Sequence, residues 1–164
     1  MSRAESADGS SEERASQFIA IAIPGIPEIK KGYDIGKIIF GRSREVGGLL
    51  DNDVIAVASK IISKAEGRIV DTSRVFPSEQ ANELSQITGK PAQVCQIILD
   101  ESNEYIVRGH TIIAHHKLGY ILTSAGVDQV DKLHVSLIPQ NPDLSAQRVR
   151  ERIEELSKKA VKNV

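Results

Sequence analysis

Apolar residues in this chain fall in short clusters divided by turn-forming residues, and only near the end do they settle into a helical stripe. The run Phe18–Ile23 stops at Pro24-Gly25 and predicts a buried strand. Asp34 is placed to cap a helix from Ile35 to about Val46, with Ile35, Ile38, Ile39 and Val46 inward, although Gly36 and Gly41 weaken it. The turn Asp51-Asn52-Asp53 leads into Val54–Ala58, which predicts a second buried strand. Pro77-Ser78 opens a helix that Gly89 closes, and Pro91 opens another whose inner face holds Val94, Cys95, Ile97 and Ile98. Strands are predicted at about 104–108, 111–116 and 119–123, a turn at 124–131 and a strand at His134–Ile138. Asp143 or Ser145 caps the last helix, where Ala146, Val149, Ile153, Leu156 and Ala160 recur at spacings of three and four. Strands that neighbour one another, without regular βαβ alternation, give an α+β fold: a largely antiparallel mixed sheet with flanking helices. Residues 1–17 are polar without apolar period and are expected to form a disordered tail, leaving 18–164 as the domain.

Composition narrows the function classes. A chain of 164 residues is expected to form one domain, burying roughly 70% of its unfolded surface without metal or disulfide. The 21 basic and 22 acidic residues offer no general electrostatic case for nucleic acid. Three Phe, three Tyr and no Trp make a base-stacking surface a poor expectation as well. Cys95 is the one cysteine, which excludes an intramolecular disulfide and a Cys-based zinc site and suits a cytoplasmic setting. No apolar run approaches the ~18 residues of a membrane span, and residues 1–17 lack a signal-peptide core, so no membrane association is expected.

Walker A, G-x-G-x-x-G, H-E-x-x-H and G-x-S-x-G patterns are missing. Candidate chemistry lies instead in polar residues after apolar runs. Pro24-Gly25-Ile26-Pro27 is a stiff turn, or a place where backbone approaches a ligand. Ser59-Lys60 and Ser63-Lys64-Ala65-Glu66-Gly67 read either as a solvated hairpin or as donors to phosphate oxygens. Asp128 and Asp131, in a Gly-containing turn, are ordinary turn residues or ligands for a hard cation such as Mg²⁺ or Mn²⁺. His115 and His116 are adjacent on a strand and face opposite sides, which rules out joint ligation of one metal.

In this order the pieces resemble the coenzyme F-420:L-glutamate ligase family. The matching strings are Gly25-Ile26-Pro27-Glu28-Ile29, the stretch Asp53 to Gly67 ending Ser63-Lys64-Ala65-Glu66-Gly67, Ser124-Ala125-Gly126-Val127-Asp128, and Pro139-Gln140-Asn141-Pro142-Asp143-Leu144-Ser145-Ala146. The likeness covers about residues 18–160. It implies a GTP-dependent ligase using Mg²⁺ or Mn²⁺, which phosphorylates the terminal carboxylate of a coenzyme F-420 precursor and lets the amine of L-glutamate displace phosphate, forming a γ-linked amide. It also implies a homodimer. By the same resemblance, Gly25, Ile26, Pro27, Ser59, Lys60 and Lys64 fall at nucleotide-binding positions and Asp128 at a metal-binding one.

Two departures accompany the match. The family's Asn-Ala-Gly-x-Asp-x-Ser-Asn is altered at Ser124, Val130 and Asp131, and Asp131 stands where the family contacts nucleotide. A carboxylate there repels phosphate unless a cation intervenes. The family also continues into a further strand bearing Asp-Thr-Asn-Gly, where this sequence reaches Val164. The expectation is therefore the N-terminal portion of a ligase, completed by a second segment or a separate C-terminal chain. The alternative is a non-catalytic relative that keeps the fold and binds a partner or small ligand.

Overall fold

Helix boundaries follow local capping chemistry in the computed structural model, which describes residues 19–161; the tail expected at 1–17 lies outside them. The Asp34 carboxylate accepts from Lys37 N–H at 2.9 Å and starts α1 (Ile35–Ser43), which tightens into a 3₁₀ turn at Arg44–Val46. Next comes α2 (Ser59–Glu66), closed by Gly67 at φ +76° with Arg68 N–H donating to the Ser63 carbonyl. Ser78 caps α3 (Glu79–Thr88), Gly89 ends it, and α4 (Ala92–Asp100) follows Pro91. The last helix, α5, spans Pro142–Val161. Its cap is Asn141, whose side-chain oxygen accepts from Leu144 N–H, and not Asp143 or Ser145.

Strands form two separate antiparallel sheets. One orders β1 (Ile69–Asp71), β6 (His134–Ser136) and β5 (Asp128–Gln129), with β6 central; Val70 faces Val135, and Gln129 faces Val135 from the other side. The other orders β2 (Ser102–Arg108), β3 (Thr111–His116) and β4 (Ile121–Thr123). The α+β expectation holds, with the strands divided between two sheets rather than joined in one.

Between the sheets lies α4. Its Ile98 packs with Leu84 of α3 and Ile112 and Ala114 of β3, while the next residue toward the N-terminus, Ile97, packs with Val135 and Leu137. A third cluster joins Ile35 and Ile39 of α1 to Ile153 of α5. Gly36 belongs to that crossing, because a Cβ there would lie 2.8 Å from the Arg152 side chain. The glycine that weakens α1 in isolation is thus what lets α5 pack on it. Arg68, ahead of β1, donates to Glu101 at 2.8 Å and to the Ile138 carbonyl at 3.2 Å, tying the sheets together beside buried His116.

Two predicted strands are absent among the described residues. Residues 19–23 and 54–58 have no strand assignment, and Ile19, Ile21 and Val54 are 86%, 63% and 94% exposed. Their inward residues Ile23, Ile55 and Val57 do reach the α1–α5 cluster. A strand also needs a ladder partner, and neither segment has one among the described residues. A third correction concerns α5, where Ala146 is exposed and Ser145 buried. Ser145 Oγ donates to Glu66 on α2, and that bond sets the rotation of the helix.

Candidate functional site around α2

Residues 59–66 form an amphipathic helix rather than a hairpin. Ile61, Ile62 and Ala65 pack into the α1–α5 cluster, which leaves Lys60 and Lys64, four apart, on one face. Ser63 is fully buried, its hydroxyl donating to the Ser59 carbonyl at 2.9 Å. Glu66 accepts from Ser145 and from Gln140 N–H, joining two of the matching strings directly. In the most distinctive string, Ser63, Glu66 and Gly67 therefore serve the fold, while Lys64 makes no contact within the string. Glu66→Ala should cost about 0.5–1.5 kcal/mol, since buried Ser145 loses one acceptor and keeps the Asn141 carbonyl; thermal unfolding reads it, and Glu66→Gln should recover most of the loss.

Lys60 reaches across the fold. Its Nζ lies 2.6 Å from the Asp128 carboxylate and 3.1 Å from the Gln129 carbonyl, uniting residues 69 positions apart in the chain. Asp128 is exposed and Lys60 half-buried at the surface, so the pair is weak, about 0–1 kcal/mol, and exchanges partners at little cost. Lys64 Nζ lies 3.8 Å from Glu28, beside Gly25-Ile26-Pro27. Gly25 holds φ +67°, and a Cβ there would press on the Arg42 guanidinium at 3.2 Å. Between these contacts the N-terminus of α2 is open. Ala58 offers no capping oxygen, and among the described residues the N–H groups of Ser59 and Lys60 have no acceptor. Two lysines, the open amides and the Ser59 hydroxyl are donors of the kind anions accept from.

Asp128 is presented by an unusual turn. Ser124, Ala125 and Gly126 occupy the left-handed region in succession, at φ +52°, +51° and +68°. Asp131 lies beyond β5, and its carbonyl accepts from the Gln129 side chain. Its carboxylate accepts from Leu133 N–H at 2.9 Å, from His134 N–H at 3.0 Å and from His134 Nδ1 at 2.9 Å. The Leu133 backbone bond first, then the His134 side chain, hold its pKa below the usual aspartate value. A depressed folded-state pKa means that this stabilisation is present above the unfolded value and disappears as pH falls through the folded one, below about pH 4. Carboxyl-carbon NMR titration should find Asp131 titrating lower than a free aspartate, and His134→Ala should raise it.

The structure thus brings Lys60 to Asp128, and Lys64 to the Gly25–Glu28 loop, along one face of α2. Asp131 lines a cleft of about 260 Å³ with Thr72, Ser73 and His134. A wider groove of about 680 Å³ runs beside Pro27, bordered by Tyr33, Asp34, Lys37 and Arg42. Contacts made by Glu28 and the Gln129 carbonyl escape sequence reading, because neither residue carries a local signal of its distant partner. His115 is exposed and His116 buried, on opposite faces of β3 as expected. The Nδ1 of His116 accepts from Leu118 N–H at 2.9 Å, a structural role.

This fold and surface define an α+β protein with a phosphate-compatible helix face, and sequence relationships sharpen that class. A family model for F420-0:gamma-glutamyl ligase matches residues 25–164. The chain belongs to that family. It is 39% identical over 141 residues to the coenzyme F420:L-glutamate ligase of Archaeoglobus fulgidus, covering 85% of this chain and 55% of the relative. The Methanocaldococcus jannaschii protein of the same name is 40% identical over 113 residues, covering 68% of this chain and 45% of its own. That of Methanosarcina acetivorans is 37% identical over 145 residues, covering 87% and 56%. The chain spans about half the length of these relatives.

Proposed function

We propose that this chain supplies the nucleotide-binding portion of a ligase that adds L-glutamate by γ-linkage to a coenzyme F-420 precursor at the expense of GTP. The observation that carries the reading is the Lys60–Asp128 contact at 2.6 Å beside the open N-terminus of α2. Lys60, Lys64 and the Ser59 and Lys60 amides would hold phosphate oxygens, with the Gly25-Ile26-Pro27 loop and its groove against the nucleoside. Asp128 is a hard, exposed oxygen donor and fits Mg²⁺ or Mn²⁺ as one ligand. Among the described residues no group of three or more His, Cys, Asp or Glu is placed to hold a metal ion. Nucleotide phosphates, water and the remaining part of the ligase would complete the coordination. A divalent cation bound there neutralises and aligns the phosphates.

In the reaction, a carboxylate oxygen of the precursor attacks the γ-phosphorus and GDP leaves. The glutamate amine then attacks the acyl carbon, loses a proton and expels phosphate. Lys60 and Lys64 offset charge on the transferring phosphoryl group. The reading carries with it a cytoplasmic setting and a homodimer, for which exposed Ile106 and Ile121 on the β2–β3–β4 sheet offer apolar surface. Calorimetry with GTP and Mn²⁺ tests it: micromolar, metal-dependent binding is expected. No binding at millimolar GTP would leave the second reading, a non-catalytic relative binding a partner or small ligand. That reading is favoured by one observation, the full engagement of the Asp131 carboxylate with His134 and Leu133.

A further inference from the structure

The Lys60 ammonium occupies a position that suits a metal ion. It lies 2.6 Å from an Asp128 carboxylate oxygen and 3.1 Å from the Gln129 carbonyl, so a carboxylate and a backbone oxygen from adjacent residues converge on one positive charge. Oxygens of these two kinds are what Mg²⁺ and Mn²⁺ take from a protein. The backbone fixes where they sit, because Asp128 and Gln129 pair with Ser136 and Val135 of β6 and follow three successive left-handed residues. Lys60, by contrast, reaches them on a flexible stem from the first turn of α2. It can let go cheaply, since a surface pair of this kind is worth about 0–1 kcal/mol. The arrangement also obstructs an anion. A phosphate that reaches Lys60 meets the Asp128 carboxylate bonded to it, and like charges at such range repel.

We propose that Lys60 is a built-in stand-in for the divalent cation: it is held between Asp128 and the Gln129 carbonyl until a cation takes those two oxygens, and its release frees the ammonium for phosphate. The Gln129 carbonyl is thereby a second metal ligand beside Asp128. Lys60 then plays opposite parts. It competes with the metal while phosphate is absent and supports metal and phosphate together once both are present. By linkage, metal and nucleotide raise each other's affinity by the same factor. The coupling needs the rotation of one side chain and no movement of the backbone. Lys64 stands outside the exchange, since its contact is with Glu28, at 3.8 Å. The inference rests on the proposed nucleotide site and adds how its two ligands are coupled.

NMR on the chain with labelled lysine and aspartate follows both sides of the contact. Magnesium chloride, titrated to tens of millimolar against potassium chloride of equal ionic strength, should move the Asp128 carboxyl carbon and the Lys60 ε-carbon with one midpoint while Lys64 stays still. Lys60→Ala should strengthen Mg²⁺ binding at Asp128 by about 3- to 10-fold, because the competitor is gone. In calorimetry, Asp128→Asn should raise the affinity for GTP without metal by about 3- to 10-fold and abolish the gain from Mn²⁺. These opposite signs separate the exchange from a plain positioning role, in which a carboxylate that only orients Lys60 toward phosphate would weaken metal-free binding when replaced. The proposal is overturned if Asp128 responds to Mg²⁺ and Lys60 does not, if neither responds, or if Asp128→Asn lowers the metal-free affinity. A chain that binds no GTP under any of these conditions sinks the ligase reading, and the Mg²⁺ titration still decides the exchange at Asp128.

Discussion

Lys60→Ala is expected to weaken Mn²⁺-dependent GTP binding by about 10- to 100-fold, the ~1.5–3 kcal/mol of a charge-assisted hydrogen bond to a phosphate oxygen. Without ligand, Lys60 is held by Asp128 and the Gln129 carbonyl on an exposed surface, an arrangement that contributes little to stability. Its removal should therefore shift the melting temperature by no more than a degree or two while affinity collapses. That separation is the informative part. A lysine serving only as a bridge between α2 and β5 would give a small loss of stability and unaltered affinity. Lys60→Arg should restore binding only in part, because a planar fork does not replace a compact ammonium beside the α2 amides. Calorimetry on the three proteins at one ionic strength decides the matter, and equal affinities would remove Lys60 from the nucleotide site.

Gly126→Ala is expected to destabilise the fold by about 2–4 kcal/mol, lowering the melting temperature by roughly 5–12 °C. Two costs combine. The residue sits at φ +68°, where a side chain is strained, and an added Cβ would lie 2.5 Å from Ile138 Cγ2 and 3.2 Å from Leu122 Cδ1. Ile138 follows β6 and Leu122 lies on β4; the Leu122 methyl can turn aside, whereas Ile138 Cγ2 sits on the β-carbon and has less room to yield. Gly126 also stands two residues before Asp128, and a shifted turn would carry that carboxylate away from Lys60. Scanning calorimetry and GTP titration should thus report losses in parallel. A melting temperature unchanged within a degree would show that the turn relaxes freely and that its left-handed backbone is not needed.

Helices were legible in the sequence where both ends carry a chemical signal. Ser78 with Gly89, and Asp34 before α1, mark boundaries through local hydrogen bonding, and Pro91 marks the start of α4 through its fixed φ. The hairpin of β2 and β3 was legible because alternation and partner lie close together. Residues 19–23 and 54–58 misled for the opposite reason. Their apolar pattern records which faces are buried, whereas a strand depends on a neighbour supplied from elsewhere. The site divides in the same way. The resemblance singled out Lys60, Lys64 and Asp128, yet which lysine meets which carboxylate depends on the rotation of α2, fixed by Ile61 and Ile62 in the core and by Glu66 on Ser145. Asp131 shows the limit of residue type alone: in sequence it reads as a poor neighbour for phosphate, and only the fold shows that its carboxylate, held as an anion, is bonded to His134 and Leu133.

Helix α4 has a bearing on how the molecule comes apart. Ile97 and Ile98 are neighbours in the chain and pack against different sheets. Opening either sheet exposes one of them and tilts the helix out of register with the other, so the two sheets must breathe as a single cooperative block. The α1–α5 cluster shares none of those buried residues. Fluctuations there can loosen the Gly25 loop and α2 without melting the platform that carries Asp128.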